Sequence, residues 1–408
     1  MCSVSEVAGL LSVDEALARI LARVEPLAAE RVPLAEADGR VLAEDALATV
    51  DLPGFPSSAM DGYAICSADA PGSLPVVGHI AAGRPSERAL QAGEAMSIST
   101  GGVVPDGADA VVQIELVETD GDIVHVPGRV EPRANVRSRG SDIEEGARVV
   151  AAGALLSPSR LAALAASGVA EPCCARRPRV AILSTGTELR PPGATLEPGQ
   201  IYESNGLMLA SLFAGAGALI ERGEPVDDDP DAHRVALERA LRADVVVSSG
   251  GVSVGEHDLV RRTLAELGAE EDFWGVAMRP GKPLAFSVRG RTLVFGLPGN
   301  PVSSLVSGLL FVLPALRALQ GLTHPEPRFR LGRLAAPARR RPERDDYQRA
   351  RIEEQDGEVL LHVSTGQESH MIAHAAAADA LVHVPRGEDA LDAGATARYL
   401  PLAAAGSA

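Results

Sequence analysis

The sequence predicts a multidomain α/β plus β protein with a doubly wound α/β domain at its centre. Three observations carry this. Between residues 178 and 322, strand-like and helix-like segments alternate. Residues 46–140 instead hold short alternating runs broken by Gly and Pro, the pattern of a small β domain. Beyond Pro325 a second alternating stretch, from RFRLGRL to ARYLPL, predicts a C-terminal β-barrel-like domain over 323–408. The remaining segments, 1–45 and 141–177, read as two pieces of one helical and extended linker domain into which the 46–140 domain is inserted.

Composition bounds what such a chain does. It has 408 residues, 46% hydrophobic and 23% charged, which suits a soluble protein with ample core. Aromatics are only 3%, so Ala, Val and Leu must build that core. A net charge of −17 argues against a nucleic-acid or anionic-membrane surface, since no excess of Lys and Arg exists to release counterions. The four cysteines lack zinc-ligand spacing, and the adjacent Cys173-Cys174 suits no ordinary disulfide framework, so a reducing, cytoplasmic setting is expected. No basic start followed by an apolar run marks a signal peptide. The most apolar segment, Val302 to Leu316, is shorter than a membrane span and reads as a buried helix.

In chain order, residues 11–46 are helical in pattern, with Ser12 and Asp14 as capping candidates. In the inserted domain, SSAMDGYAI places Asp61-Gly62 at a turn, and STGGVVPDGADAVV places Thr100 before paired glycines. A polar loop, ANVRSRGSDIEEG, comes next, and Ser157-Pro158-Ser159 opens a helix. RVAILSTGTEL is a strand ending near Glu188, and SNGLMLASLFAGAGA is a helix capped by Ser204 or Asn205. A second strand ends in Asp227-Asp228-Asp229, with Asp229 capping the helix that Pro230 begins. DVVVSSGG is the third strand, a hairpin through Arg289-Gly290-Arg291 joins the last two, and Asn300-Pro301 opens the final helix. Arg339, Arg340, Arg341 and Arg344 form a basic knot that reads as a solvated turn.

The chemistry concentrates between Asp244 and Ser303. Ser249-Gly250-Gly251, Arg279-Pro280-Gly281-Lys282 and Pro298-Gly299-Asn300-Pro301 are expected at strand ends, where ligands of α/β sheets bind. Glycine there lets backbone approach a phosphate or oxyanion, and a helix opening at Asn300-Pro301 is expected to offer free amides. Glu188, the 227–229 aspartates and Asp258 leave two readings open. They converge on a Mg²⁺ ion, or they serve separately as cap, first-turn acid and solvated side chain. Walker loop, dinucleotide fingerprint and nucleophile elbow are all missing, and the cysteines lack a neighbouring base.

Seven segments taken together, SSAMDGYA, STGGVVPDGADAVV, NVRSRGSD, LSTGTEL, SSGGVSVGEHD, MRPGKP and GLPGNPVSS, resemble the molybdopterin molybdenumtransferases, the family of MoeA and the gephyrin E domain. The resemblance spans essentially the whole chain and is weakest in the C-terminal domain. It implies Mg²⁺-dependent insertion of molybdate into adenylylated molybdopterin with release of AMP, by a homodimer whose active site forms between subunits. Residue by residue it implies functional roles for Asp61, Thr100, Asp142, Glu188, Asp228, Asp258 and Lys282, with Glu188, Asp228 and Asp258 on the metal. Ser253, Ser303, Arg137, Arg349 and Ser369 join the glycine-rich turns as substrate contacts. Asp61 and Thr100 would face the partner's α/β domain, and molybdopterin adenylyltransferase and recipient molybdoenzymes become expected partners. Thr187, Leu259 and Glu368 depart from the family pattern, and Glu368 would put a carboxylate beside Ser369. Competing readings are a molybdopterin adenylyltransferase, which shares the α/β domain in a shorter chain, and a gephyrin-like scaffold.

Overall fold

In the central sheet of the computed structural model, the strand order is Leu219–Arg222, Arg179–Ser184, Val245–Ser249, Thr292–Leu297, Ala285–Arg289, Glu270–Trp274. The structure describes residues 9–227, 229–250 and 259–402. The first four strands are parallel and the last two run antiparallel to their neighbours. Val245, Val246 and Val247 are all fully buried, which explains a continuous apolar run in place of alternation: both faces are covered. Val180 and Ile182 point into a core with Leu209, Phe213 and the helix after Asn300, while Ala181 and Leu183 point into one with Leu237 and Val260. The sheet is therefore wound on both faces, as expected. The hairpin pairs Arg289 with Thr292 around Gly290, whose φ of 59° suits glycine.

The final helix of this domain runs Pro301–Leu319, 19 residues with mean hydropathy 1.8, and is 83% buried. It is longer than expected from the sequence, and long and apolar enough by length and composition to cross a membrane. Burial makes it the core helix of the sheet. Its middle turn, Gly308–Val312, is widened to π geometry. That turn holds Leu310, the residue whose carbonyl the ring of Pro314 would otherwise strike.

The helical pattern of 11–46 yields one α-helix, Val13–Ala22; Pro26 and Pro33 stop its continuation, and only a 3-10 turn, Leu34–Glu36, follows. Ser12 and Glu15 form a reciprocal capping box, with bonds of 2.9 and 3.2 Å. Val13, Ala16 and Ile20 lie in the core of the α/β sheet, and Arg23 pairs with Asp272 at 3.0 Å. The helix thus packs with the α/β core and not with the 29–45 segment expected to accompany it. The extended linker layer pairs Ala29–Arg31 with Cys173–Ala175 and Ala46–Leu47 with Arg148–Val150, over Leu42, Leu156 and Leu164.

The inserted sheet runs Ala110–Gln113, Gly62–Ile65, Ala95–Ile98, Gly72–Ile80, Ile123–Val126, Glu118–Asp120. The C-terminal strands Asp345–Gln355, Glu358–Val363, Arg330–Leu334, Thr396–Pro401 and Ala380–Val384 close into a five-stranded barrel, because the last pairs back with the first. Closure removes the edges of the barrel sheet, while Ala338–Arg339 and Ala390–Leu391 form a separate two-stranded sheet beside it.

Candidate functional site

Three strands of the central sheet end together at Ser184, Ser249 and Leu297. Gly186 follows the first with φ 147°, and a Cβ there would stand 2.5 Å from the Glu188 carboxylate. Gly250 follows the second with φ 101°, its Cα so near the Thr185 carbonyl that a Cβ would come within 2.8 Å. Between these turns opens a cavity of about 300 Å³ bordered by Glu188, Glu203, Asn205, Ser249, Gly250, Gly299 and Pro301. Glu203 is 6% exposed and accepts hydrogen bonds from Ser184 Oγ at 3.1 Å and the Gly206 amide at 2.5 Å, with Arg222 at 3.3 Å. Asn205 donates from Nδ2 to Ser249 Oγ at 2.9 Å and to the Gly299 carbonyl at 2.7 Å. Sequence reasoning missed Glu203 and treated Asn205 as a cap candidate. The signal available was the acid-polar run Glu203-Ser204-Asn205 at a helix start. Ser204 occupies the cap position yet makes no side-chain cap bond.

A second cavity, about 410 Å³, lies on the other side of the same turn, between the α/β domain and the barrel. Arg279, Lys282, Arg344, Pro298, Asn300, Ser303, Glu368 and Ser369 border it. The RPGKP segment was expected at a strand end. It occupies instead the crossing from Trp274 to Ala285, where Met278–Arg279 pairs in parallel with Asp345 and Asp346 of the barrel. Lys282 still reaches the rim, because Ala285 lies opposite Gly296 at the end of the neighbouring strand. Arg279 meets Asp346 at 3.4 Å. The basic knot is more than a solvated turn, since it contributes Arg344 to the cavity wall.

One expectation on this side is corrected. The helix that begins at Pro301 does not offer a row of free amides: Pro301 has none, and Val302 donates to the Ser369 carbonyl at 3.1 Å. Arg349, expected against substrate, is 1% exposed and donates to the carbonyls of Gly366 at 2.5 Å, Glu368 at 3.2 Å and Met371 at 3.3 Å. Burial lowers its pKa. Its guanidinium shapes the loop that carries Glu368 and Ser369.

In the inserted domain, Asp61 and Thr100 come together as expected. The Asp61 carboxylate accepts from the Thr100 amide at 2.7 Å and from its hydroxyl at 3.1 Å, and both residues are exposed. Gly62 presses against the Val112 carbonyl, leaving no room for a Cβ. Arg137 lies exposed in the short strand Val136–Arg137, opposite Ser57, and Asp142 lies exposed with its amide on the Leu52 carbonyl at 3.0 Å. Cys173 and Cys174 sit in a paired strand, and burial pushes both thiols up, which fits core residues better than nucleophiles.

Asp228, Gly251, Ser253 and Asp258 lie outside the described residues. Among the described residues, no group of three or more His, Cys, Asp and Glu side chains stands together as a metal site. Glu188 is the described member of the expected metal set, and its cavity is edged by hard oxygen donors of the kind Mg²⁺ takes. A larger cavity of about 890 Å³, between Leu219–Arg222 and Pro230–Ala240, is walled by Ala181, Leu183, Val235 and Ala236, and of the described candidate residues it touches Asp227 alone.

Comparison with known proteins agrees along the chain. Residues 11–168 match the MoeA N-terminal region (domain I and II), residues 181–318 a probable molybdopterin binding domain, and residues 332–402 the MoeA C-terminal region (domain IV). Molybdopterin molybdenumtransferase 2 of Mycobacterium tuberculosis (strain ATCC 25618 / H37Rv) is 37% identical over 377 residues, 89% of this chain and 92% of that protein. The molybdopterin molybdenumtransferase of Nostoc sp. is 37% identical over 386 residues, 91% of this chain and 88% of its own length. A molybdopterin biosynthesis MoeA protein from Pyrococcus horikosii superposes with TM-score 0.81 at 31% identity, covering 96% of this chain and 99% of that one. With this fold, these paired cavities and these relatives, the chain belongs to the molybdopterin molybdenumtransferase (MoeA) family, transferases of molybdenum cofactor biosynthesis.

Proposed function

We propose that this protein inserts molybdenum from molybdate into adenylylated molybdopterin, releasing AMP, in a Mg²⁺-dependent reaction in the cytoplasm. The observation that carries the reading is the Pro298–Pro301 turn. Pro298 and Asn300 border the cavity that holds Arg279, Lys282 and Arg344, while Gly299 and Pro301 border the cavity that holds Glu188. Two ligands bound on opposite faces of one turn are held as neighbours, which is what a transfer between them requires.

Molybdate is a tetrahedral dianion, suited to the Lys282 ammonium, the two guanidinium groups and the buried Ser303 hydroxyl. On the other side, Gly250 and Gly299 let a phosphate come close to backbone. Glu188, with Asp228 and Asp258, would hold Mg²⁺, which supplies charge neutralisation at the phosphoanhydride as it is cleaved. Side chains of this protein orient the two anions and need not bond covalently to either. Asp61 and Thr100 complete the site from the second subunit of a homodimer; their hydrogen-bonded pair is exposed and preorganised for that contact.

The test is AMP release from adenylylated molybdopterin, with and without molybdate and Mg²⁺. Release that requires both supports the reading. No release, together with adenylylation of free molybdopterin by ATP, would replace it with an adenylyltransferase.

A further inference from the structure

The Gly250 and Gly299 turns follow different strands, yet their backbones touch: a Cβ on Gly299 would stand 3.7 Å from the Gly250 Cα. Glycine turns have no side chains of their own to set such a spacing, and Asn205 spans the gap. Its Nδ2 donates to the Gly299 carbonyl at 2.7 Å and to the hydroxyl of Ser249, the residue before Gly250, at 2.9 Å. A carbonyl oxygen can only accept, so the Gly299 contact identifies that end of the carboxamide as the nitrogen. Both N–H groups are then committed to the protein.

Asn205 is itself seated from below. The buried Glu203 carboxylate takes the amide of Gly206, the next residue, at 2.5 Å and ties it to Ser184 Oγ at 3.1 Å. Ser249 Oγ lies 3.3 Å from Ser304 Oγ, and Ser304 Oγ in turn donates to the Pro298 carbonyl. The network thus links the ends of two strands, one turn and the starts of two helices through side chains that border or underlie the 300 Å³ cavity.

We propose that Asn205 is a positioning residue, a donor clamp that sets the separation of the Gly250 and Gly299 turns for a phosphate-bearing ligand without touching reacting atoms itself. The assignment deepens the molybdenum-transfer reading and rests on it for the identity of the ligand.

Asn205→Asp tests the clamp, because it keeps shape but loses the donors, and an acid in a first helical turn is favoured by the helix dipole. At pH 8 the variant should release AMP about threefold to tenfold more slowly, the effect of losing the hydrogen bond to the Gly299 carbonyl, with its melting temperature unchanged. As pH falls, the new carboxyl gains a proton and can donate to Gly299. The ratio of variant to wild-type rate should therefore climb toward acid. Asn205→His, which keeps a ring N–H, should recover part of the rate. Calorimetric binding of AMP, which needs no turnover, should weaken in parallel in Asn205→Asp. A rate ratio flat with pH, or a melting temperature that drops along with activity, overturns the clamp. Wild-type protein that binds AMP but fails to release it from adenylylated molybdopterin sinks the functional reading, while the loss of AMP affinity in Asn205→Asp still reports on the clamp.

Discussion

The two cavities that share the Pro298–Pro301 turn differ in charge and in how they are built. The smaller one carries Glu188 and Glu203 and draws its walls from one domain, the α/β sheet. The larger one carries Arg279, Lys282 and Arg344, and the Gln367–His370 loop of the barrel forms one side of its wall. An acidic pocket receives a phosphate only with a cation between them, whereas a basic pocket holds an oxyanion directly. On the proposed function, the pairing would let a protein of net charge −17 handle two anions: direct attraction is local, confined to one side of a single turn.

If that division of labour is right, single charge removals should act on different ligands. Lys282→Ala should raise the molybdate concentration for half-maximal AMP release by about tenfold to hundredfold, the range for a charge-assisted hydrogen bond, and leave the Mg²⁺ requirement unchanged. Glu188→Gln should do the reverse, shifting the Mg²⁺ titration by about tenfold or more with molybdate dependence kept. Parallel shifts in both titrations would merge the two cavities into one site. The proposed homodimer supplies a second way to break the comparison. Mixing subunits of Asp61→Asn with subunits of Lys282→Ala, each impaired alone, should restore about a quarter of wild-type turnover, since half of the dimers are mixed and each has one intact site of two. No recovery after verified subunit exchange would return Asp61 to its own subunit's chemistry. The smallest effect should come from Glu368, an exposed carboxylate on the basic cavity. Glu368→Gln should lower the half-saturating molybdate concentration by about twofold to fivefold at low ionic strength, and salt should erase the difference.

The sequence made the glycine turns legible because strand ends announce themselves: apolar runs stop at Ser249-Gly250 and Pro298-Gly299, and the structure brings both to one rim. Lys282 was legible for the same reason, although its segment proved to be a crossing paired with Asp345 and Asp346. Glu203 and Asn205 were not, because capping and clamping use the same residue types at the same helix start, and only the contacts of Asn205 with Ser249 and Gly299, 44 and 94 residues away, separate them. The loop contacts of Arg349 were illegible for the same reason, since nothing local shows that three carbonyls of the 366–371 loop will close around it. Val13–Ala22 shows the limit for packing: periodicity announced a helix, but its partner, the sheet core, is formed more than 150 residues later.

The short strand Met278–Arg279 has a consequence for inheritance. It stitches the segment bearing Lys282 to the barrel, and Ser369 of the barrel takes the Val302 amide of the α/β domain. The basic cavity is therefore property held in common, with neither domain owning a complete copy. A gene fragment encoding the α/β domain alone would carry off the acidic pocket intact but only part of the basic one. In a lineage that reshuffles these domains, the acidic pocket can travel as a module, while the basic pocket must be rebuilt or brought along with the barrel.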